Sequence, residues 1–335
     1  MAGLFWSFLF CFTVSVSCTA ETVAPASPVQ LVYQYQDAVW VENFAVRPNG
    51  WILPATATSA ILTQLNPANG QQQTIHDWSA VGSSIMSITD IQPDLFLANT
   101  MYCDMSLLAC TPGTGITWLV DLRNAGSPCI TQLATGPNNA SLLNGVATLN
   151  DRVVLMVDQN LGGIWGVDVV HGGAQLLFTD PKMMDPNSTG SGVNGIRVVG
   201  STLYYNNPSI GTFGRVQVDP STGHKVGPVT VISTGLDCDD FEIDDQQRFA
   251  YITNQPDELL KIDLKTGLYT VFATGMPGPT SARWISKSER GKILGIWRME
   301  GPKRVPLARG RGDGTIEDYE DDRDKAEFGL KCKES

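Results

Sequence analysis

Histidine is nearly missing from this chain. His76, His171 and His224 are the only three in 335 residues, and each stands near a turn in the outer part of a sequence repeat. A His-centred triad or a histidine general base is therefore not expected. Also missing are a G-x-S-x-G elbow, a glycine-rich phosphate loop and an H-E-x-x-H pair; the GTGIT run at Gly113 lacks the strand-then-helix setting such loops need. Basic residues are few: 23 Lys and Arg stand against 34 Asp and Glu, a net charge of −11. That balance excludes nucleic acid and anionic membrane as natural partners, since both are bound through basic patches. Helical periodicity is almost absent. In its place 33 glycines and 19 prolines punctuate short alternating apolar runs, the pattern of strands and turns. A 42% hydrophobic content supplies ample core.

The first twenty residues, MAGLFWSFLFCFTVSVSCTA, hold an apolar run from Leu4 to Val16 and end on small residues. They read as a secretory signal with cleavage after Ala20, although no Lys or Arg precedes the run. The implied location is secreted or in the secretory-pathway lumen, with no membrane attachment after cleavage. Cys11 and Cys18 leave with that segment. Of the five cysteines that remain, Cys103 and Cys110 bracket CDMSLLAC and form the natural local disulfide in an oxidising compartment. Cys129, Cys238 and Cys332 stay unassigned, and no zinc spacing is present. Asn139-Ala-Ser and Asn187-Ser-Thr are glycosylation sequons in polar connectors.

What the chain does contain is a weak repeat every 40–57 residues. Its units begin VENFAVRPNGWIL at Val41, SIMSITDIQPDLFLAN at Ser84, LLNGVATLNDRVVLMVD at Leu142, GVNGIRVVGSTLYYNN at Gly192, CDDFEIDDQQRFAYITN at Cys238 and GPTSARWISKSERGKILGI at Gly278. Several continue into a further strand that closes on Asp and a turn, as in GIWGVDVVHGG, FGRVQVDPSTG and LLKIDLKTG. One unit cannot bury both faces of its sheet, and stacking sheets around an axis solves the problem. Six repeats predict an all-β, six-bladed β-propeller over residues 21–300. Val29–Gln36, VQLVYQYQ, alternates and can complete the last sheet. Residues 301–335 are dense in charge of both signs and are expected to stay solvated as a disordered tail.

VENFAVRPNG, LLNG, GVNGIR, DDFEID and GPTSA, in this order from about Val32 to Trp284, resemble the fungal secreted branch of the gluconolactonase/senescence-marker-protein propellers. The family continues with a regular final strand where this chain departs after Trp297. The resemblance implies one divalent cation at the mouth of the axial channel, held by Glu42, Asn144, Asn194 and Asp239, with Asp244 as the later acid of the DDFEID motif. All-oxygen ligands of this kind suit Ca²⁺ or Mg²⁺, and no organic cofactor is expected. Asn-Gly is also a common turn signal, so the same residues can be turn formers. Asn99, Asp158, Asn206 and Asn254 end an equivalent strand in four successive repeats. They read as turn caps, with Asp158 and Asn206 candidates for the channel mouth. The tryptophans, Trp40, Trp51, Trp78, Trp118, Trp165, Trp284 and Trp297, mostly pack blades, and any at the mouth would wall a bulky organic ligand.

Three functions follow from different classes. The branch resembled includes hetero-Diels–Alderases that join a tropolone quinone methide to a humulene-type sesquiterpene, and this reading ranks first. Such chemistry needs positioning and donors for the heterodiene oxygen, not a nucleophile. A metal-dependent lactonase comes second, with Asp239 or Glu42 as catalytic proton carriers. A non-catalytic binding propeller is third. The partner in the first reading is a small apolar organic substrate.

Overall fold

The computed structural model describes residues 31–35, 39–124, 126–136, 140, 142–186, 192–284, 292–297 and 328–333. The signal segment, both sequon asparagines Asn139 and Asn187, and most of the charged tail lie outside them. The architecture is an all-β propeller, and among the described residues the only helix is a single 3₁₀ turn, Pro208–Ile210.

Five four-stranded antiparallel sheets each run in chain order from inner to outer strand. The inner strands are Val41–Val46, Ser84–Gln92, Leu143–Thr148, Ile196–Val199 and Cys238–Ile243, and the outer strands are Gln72–Asp77, Cys129–Thr135, Ala174–Thr179, Thr230–Thr234 and Tyr269–Thr274. The second sheet carries an extra hairpin, Cys103–Asp104 with Ala109–Cys110, closed by the expected Cys103–Cys110 disulfide. Burial falls from the axis outward. Leu95–Met101 is buried at every position, whereas Gln72–Asp77 is exposed or half-buried. Middle strands are covered on both faces by neighbouring sheets, so their sequences read as continuous apolar runs.

Hydrophobic clusters fill the gaps between sheets in ring order. Leu53, Ile88 and Phe96 join the first and second, Leu97, Leu143 and Met156 the second and third, and Leu155, Ile196 and Leu203 the third and fourth. Tyr204, Phe213 and Phe241 then join the fourth and fifth. Phe213 and Phe241 meet edge to face with centroids 5.0 Å apart, a favoured aromatic geometry.

The expected Asp turns are present. Asp168 and Asp263 end third strands and Asp219 stands two residues past one, and each Oδ1 accepts two backbone N–H groups from the turn that follows, at 2.8–2.9 Å. Those hydrogen bonds hold all three carboxyls below the usual carboxylate range. Each turn closes on a glycine with φ near +75°, Gly172, Gly223 or Gly267. A Cβ on Gly267 would strike the carbonyl oxygen of Ile232.

A further four-stranded sheet has the order Pro279–Trp284, Lys292–Trp297, Phe328–Lys333, Leu31–Tyr33. Leu31 pairs with Leu330 and Tyr33 with Phe328. The expectation of an N-terminal closing strand thus holds for Leu31–Tyr33, but its partner comes from the segment expected to be solvated. Phe328, Leu330 and Cys332 alternate with Gly and Lys, a strand pattern too short to stand out within a charge-rich stretch. Thr280 Oγ1 donates to Val41 O at 2.7 Å, so this sheet's inner strand lies beside that of the first.

Candidate functional site at the channel mouth

Each inner strand begins with a break in its ladder. In the first sheet Val41 pairs with Thr56 and Asn43 with Ala55, leaving Glu42 unpaired. The same offset isolates Met86, the pair Asn144–Gly145, the pair Asp239–Asp240, and Thr280. In the fourth sheet Asn194 and Gly195 occupy the equivalent place ahead of Ile196. β-Bulges re-aim one side chain and increase local twist, and repeating the bulge around the axis collects Glu42, Met86, Asn144, Asn194, Asp239 and Thr280 into one ring. The sequence pointed to four of these positions. Met86 and Thr280 escaped because neither is a metal-ligand type, although their repeat offset matches the others.

Within that ring the two acids and two amides form two hydrogen-bonded pairs. Asn144 Nδ2 donates to Glu42 Oε1 at 2.9 Å, and Asn194 Nδ2 donates to Asp239 Oδ1 at 2.9 Å. The first bond joins the first and third sheets, so it passes across the second at the channel. The pairs are linked through Gly145 N, which donates to Asn194 O at 3.0 Å. Trp40 Nε1 donates to the other oxygen of Glu42 at 2.7 Å. This places an indole at the mouth, with Leu142, Leu161 and Met105 packed on the same hydrophobic cluster. Among the described residues no group of three or more His, Cys, Asp and Glu converges; the ring's oxygens are shared between acids and amides.

Asp158 and Asn206 have a different place. Both are fully buried. Asn206 Nδ2 donates to Asp239 O at 2.6 Å, and its Oδ1 accepts from Gly195 N at 2.7 Å. Asn99 does the equivalent work between the second and third sheets, donating to Leu143 O at 3.2 Å. These asparagines tie one sheet's second strand to the next sheet's inner strand, positioning the residues that form the ring. Asp158 Oδ1 accepts from Leu161 N at 3.2 Å, capping a turn. Cys238, next to Asp239, is buried; burial pushes its thiol up to about 12, leaving it protonated and inert.

Below the ring lies a charged plug that the sequence reading missed. Asp240 Oδ2 accepts from Arg197 Nη2 at 2.8 Å, from Ser281 Oγ at 2.8 Å and from Asn43 Nδ2 at 3.4 Å. Arg197 also donates to Ile196 O and Ala282 O, and Glu242 stands 3.6 Å from its Nε and 3.9 Å from Arg283 Nη1. Burial opposes charge on Arg197, yet Asp240 and Glu242 more than offset it and hold the guanidinium above its ordinary value. Burial raises Glu242, while burial and the Arg197 charge lower Arg283. A Cβ on Gly195 would collide with Asp240 Oδ1 and Asn206 Oδ1, so the plug closes around a residue without a side chain.

Fold and site together define a propeller that presents a carboxylate–amide ring beside the Trp40 indole at one end of a plugged axial channel. No protein-family model matches the chain. In sequence it is similar to two fungal proteins bearing the name "putative hetero-Diels-Alderase". That of Sarocladium schorii is 26% identical over 322 residues, covering 83% of this chain and 80% of the relative. That of a Phoma species is 25% identical over 302 residues, covering 80% and 85%. In structure the chain is similar to regucalcin, a calcium-binding protein of Agrobacterium tumefaciens, with a TM-score of 0.60, 17% identity, and 92% and 95% of the two chains covered. The resemblance read from the sequence holds: the chain is related to the proteins named hetero-Diels–Alderases, and its fold is the regucalcin-type propeller.

Proposed function

We propose that this protein is an enzyme of natural-product biosynthesis that catalyses a hetero-Diels–Alder cycloaddition at the mouth of its channel, joining a tropolone quinone methide to a humulene-type sesquiterpene. The observation that carries this reading is similarity to the two fungal relatives over about four-fifths of both chains. The geometry supports it. A cycloaddition needs two apolar reactants held in register and a donor for the heterodiene oxygen. Trp40 and its apolar neighbours wall the mouth, and the amide of Asn194, held by Asp239 through one N–H, supplies a donor, while Asn144 Nδ2 is shared between Glu42 and Gln159. In this reading the six sheets close one ring, and the chain works in the secretory compartment, which fits its disulfide.

Glu42, Asp239, Asn144 and Asn194 also fit a hard divalent cation by donor type, since all four carry side-chain oxygens and two bring negative charge. Turning each amide over would present its oxygen in place of the NH₂ now donated. Bound there, such a cation would polarise a carbonyl and ready a water. That donor set favours the second reading, lactone hydrolysis, with Glu42 and Asp239 holding the proton taken from water. One experiment separates the two: assay cycloadduct formation and lactone hydrolysis on the purified protein, with and without chelator. Cycloadduct of single stereochemistry, reduced by Trp40→Ala, is the expected result. Lactone hydrolysis that vanishes on chelation, with no cycloaddition under any condition, would overturn the ranking.

A further inference from the structure

The far end of the channel is built differently from the mouth. Two residues beyond Asn43, Ser87, Gly145, Gly195, Asp240 and Ser281 stand Ala45, Thr89 and Ala147 on the first three sheets, and the plug residues Arg197, Glu242 and Arg283 on the next three. All six line a single cavity of about 880 Å³. One half of its floor is therefore small and uncharged, the other half charged. The small side chains clear the volume that the charged ones face. Phe96, Val199 and Trp284 continue the walls, and a volume of this size suits an organic ligand.

The floor's hydrogen bonding is incomplete. Arg283 donates from Nε to Phe44 O at 3.2 Å and from Nη2 to Asn43 Oδ1 at 3.3 Å, both long. Among the described residues the carboxylate that its Nη1 meets is Glu242, at 3.9 Å. Arg197 Nε has no hydrogen-bond partner, and Glu242 Oε2 lies 3.6 Å away. Two guanidinium edges thus face one carboxylate oxygen beyond hydrogen-bond range. The rim cations are already engaged, Arg47 by Asp94 and Gln64, and Arg248 by Asp244.

Charge then decides the ligand. Asp240 and Glu242 balance Arg197 and Arg283, and Asp90, Asp94, Asp244 and Asp245 add acid around the opening. A full anion would meet those carboxylates, whereas an uncharged oxygen acceptor would take an open N–H without upsetting the balance. We propose that this cavity is a second binding site, for a neutral, largely apolar organic molecule held by one conjugated carbonyl oxygen on Arg283 Nη1. Its flat body lies against Ala45, Ala147 and Trp284. The site is separate from the mouth and does not depend on the reaction assigned there.

Three probes of one shape test it: 2-acetylnaphthalene, 2-ethylnaphthalene and 2-naphthoate, titrated against the full chain by calorimetry and tryptophan fluorescence. A hydrogen bond from a charged donor predicts that the ketone binds about tenfold tighter than the hydrocarbon, with naphthoate weaker than the ketone. Arg283→Met should bring the ketone down to the hydrocarbon's level without moving the hydrocarbon. Ala147→Leu should weaken all three by filling the small half of the floor, and it keeps the test decisive if Arg283→Met does not fold. Naphthoate binding best, a ketone-to-hydrocarbon ratio near one, or probe binding untouched by Ala147→Leu would each overturn the proposal.

Discussion

Replacing Arg197 by methionine is the sharpest test of the plug. The substitution keeps an unbranched apolar stem, shorter by the guanidinium end, and removes the hydrogen bonds to Asp240, Ile196 O and Ala282 O. Asp240 would retain Ser281 at 2.8 Å and the long contact to Asn43, and it is buried, with its Oδ1 already lacking a hydrogen-bond partner. Stranding one carboxylate of a buried pair costs about 3–5 kcal/mol, and at roughly 2–4 °C per kcal/mol the melting temperature should fall by about 10 °C. Removing the second charge as well, Asp240→Asn with Arg197→Met, should recover about 2 kcal/mol or more relative to the sum of the single changes. Guanidinium titrations followed by tryptophan fluorescence measure all four corners of the cycle. Single costs that add to the double within about 0.5 kcal/mol would refute the argument, because residues joined by a buried ion pair cannot behave independently.

Gly267→Ala should destabilise by about 2 kcal/mol or more, since φ is +75° and the new Cβ meets backbone; unchanged thermal melting would show that the turn can relax. Asp168, Asp219 and Asp263 have folded pKa values below their unfolded value of about 3.9. Their capping stability is therefore present above about pH 4 and lost as pH falls through the folded values. Changing all three to Asn keeps an N–H acceptor and removes the titration. The acid-unfolding midpoint should then move to lower pH with little change at pH 7, and an unmoved midpoint would place acid sensitivity elsewhere. Deleting residues 328–335 should lower the melting temperature by several degrees through loss of the strand between Lys292–Trp297 and Leu31–Tyr33. A deletion with parental stability would restore the picture of a solvated tail.

Much of the fold was legible because a propeller writes its period into the chain. Repeat starts at Val41, Ser84 and Cys238 coincide with inner strands, and the turn-closing aspartates sit where expected. The ring residues Glu42, Asn144, Asn194 and Asp239 could be named because the resemblance to the gluconolactonase propellers carries over onto them, each at the start of an inner strand. Their hydrogen-bonded pairing could not, since it depends on which bulge turns toward which. The plug was invisible for a related reason. Arg197, Asp240, Glu242 and Arg283 carry one or two charges per repeat, separated by some forty residues, and no local window sees them meet. Asn99 and Asn206 looked like caps, and their role as ties between sheets appears only once a neighbouring sheet is present.

The pairing of Leu31 with Leu330 has a consequence in time. At synthesis rates of about 5–20 residues per second, the strand Leu31–Tyr33 leaves the ribosome roughly 15–60 seconds before its partner exists. For that interval the first sheet has no neighbour on one side, and Val41, Phe44 and Ile52, buried in the finished molecule, face solvent or a chaperone. The nascent chain is therefore a curved open stack that grows sheet by sheet, and the strand Phe328–Lys333 acts as its latch. A chain that stops before Phe328 would leave Leu31–Tyr33 and Lys292–Trp297 with unpaired edges, an opening for strand-to-strand association.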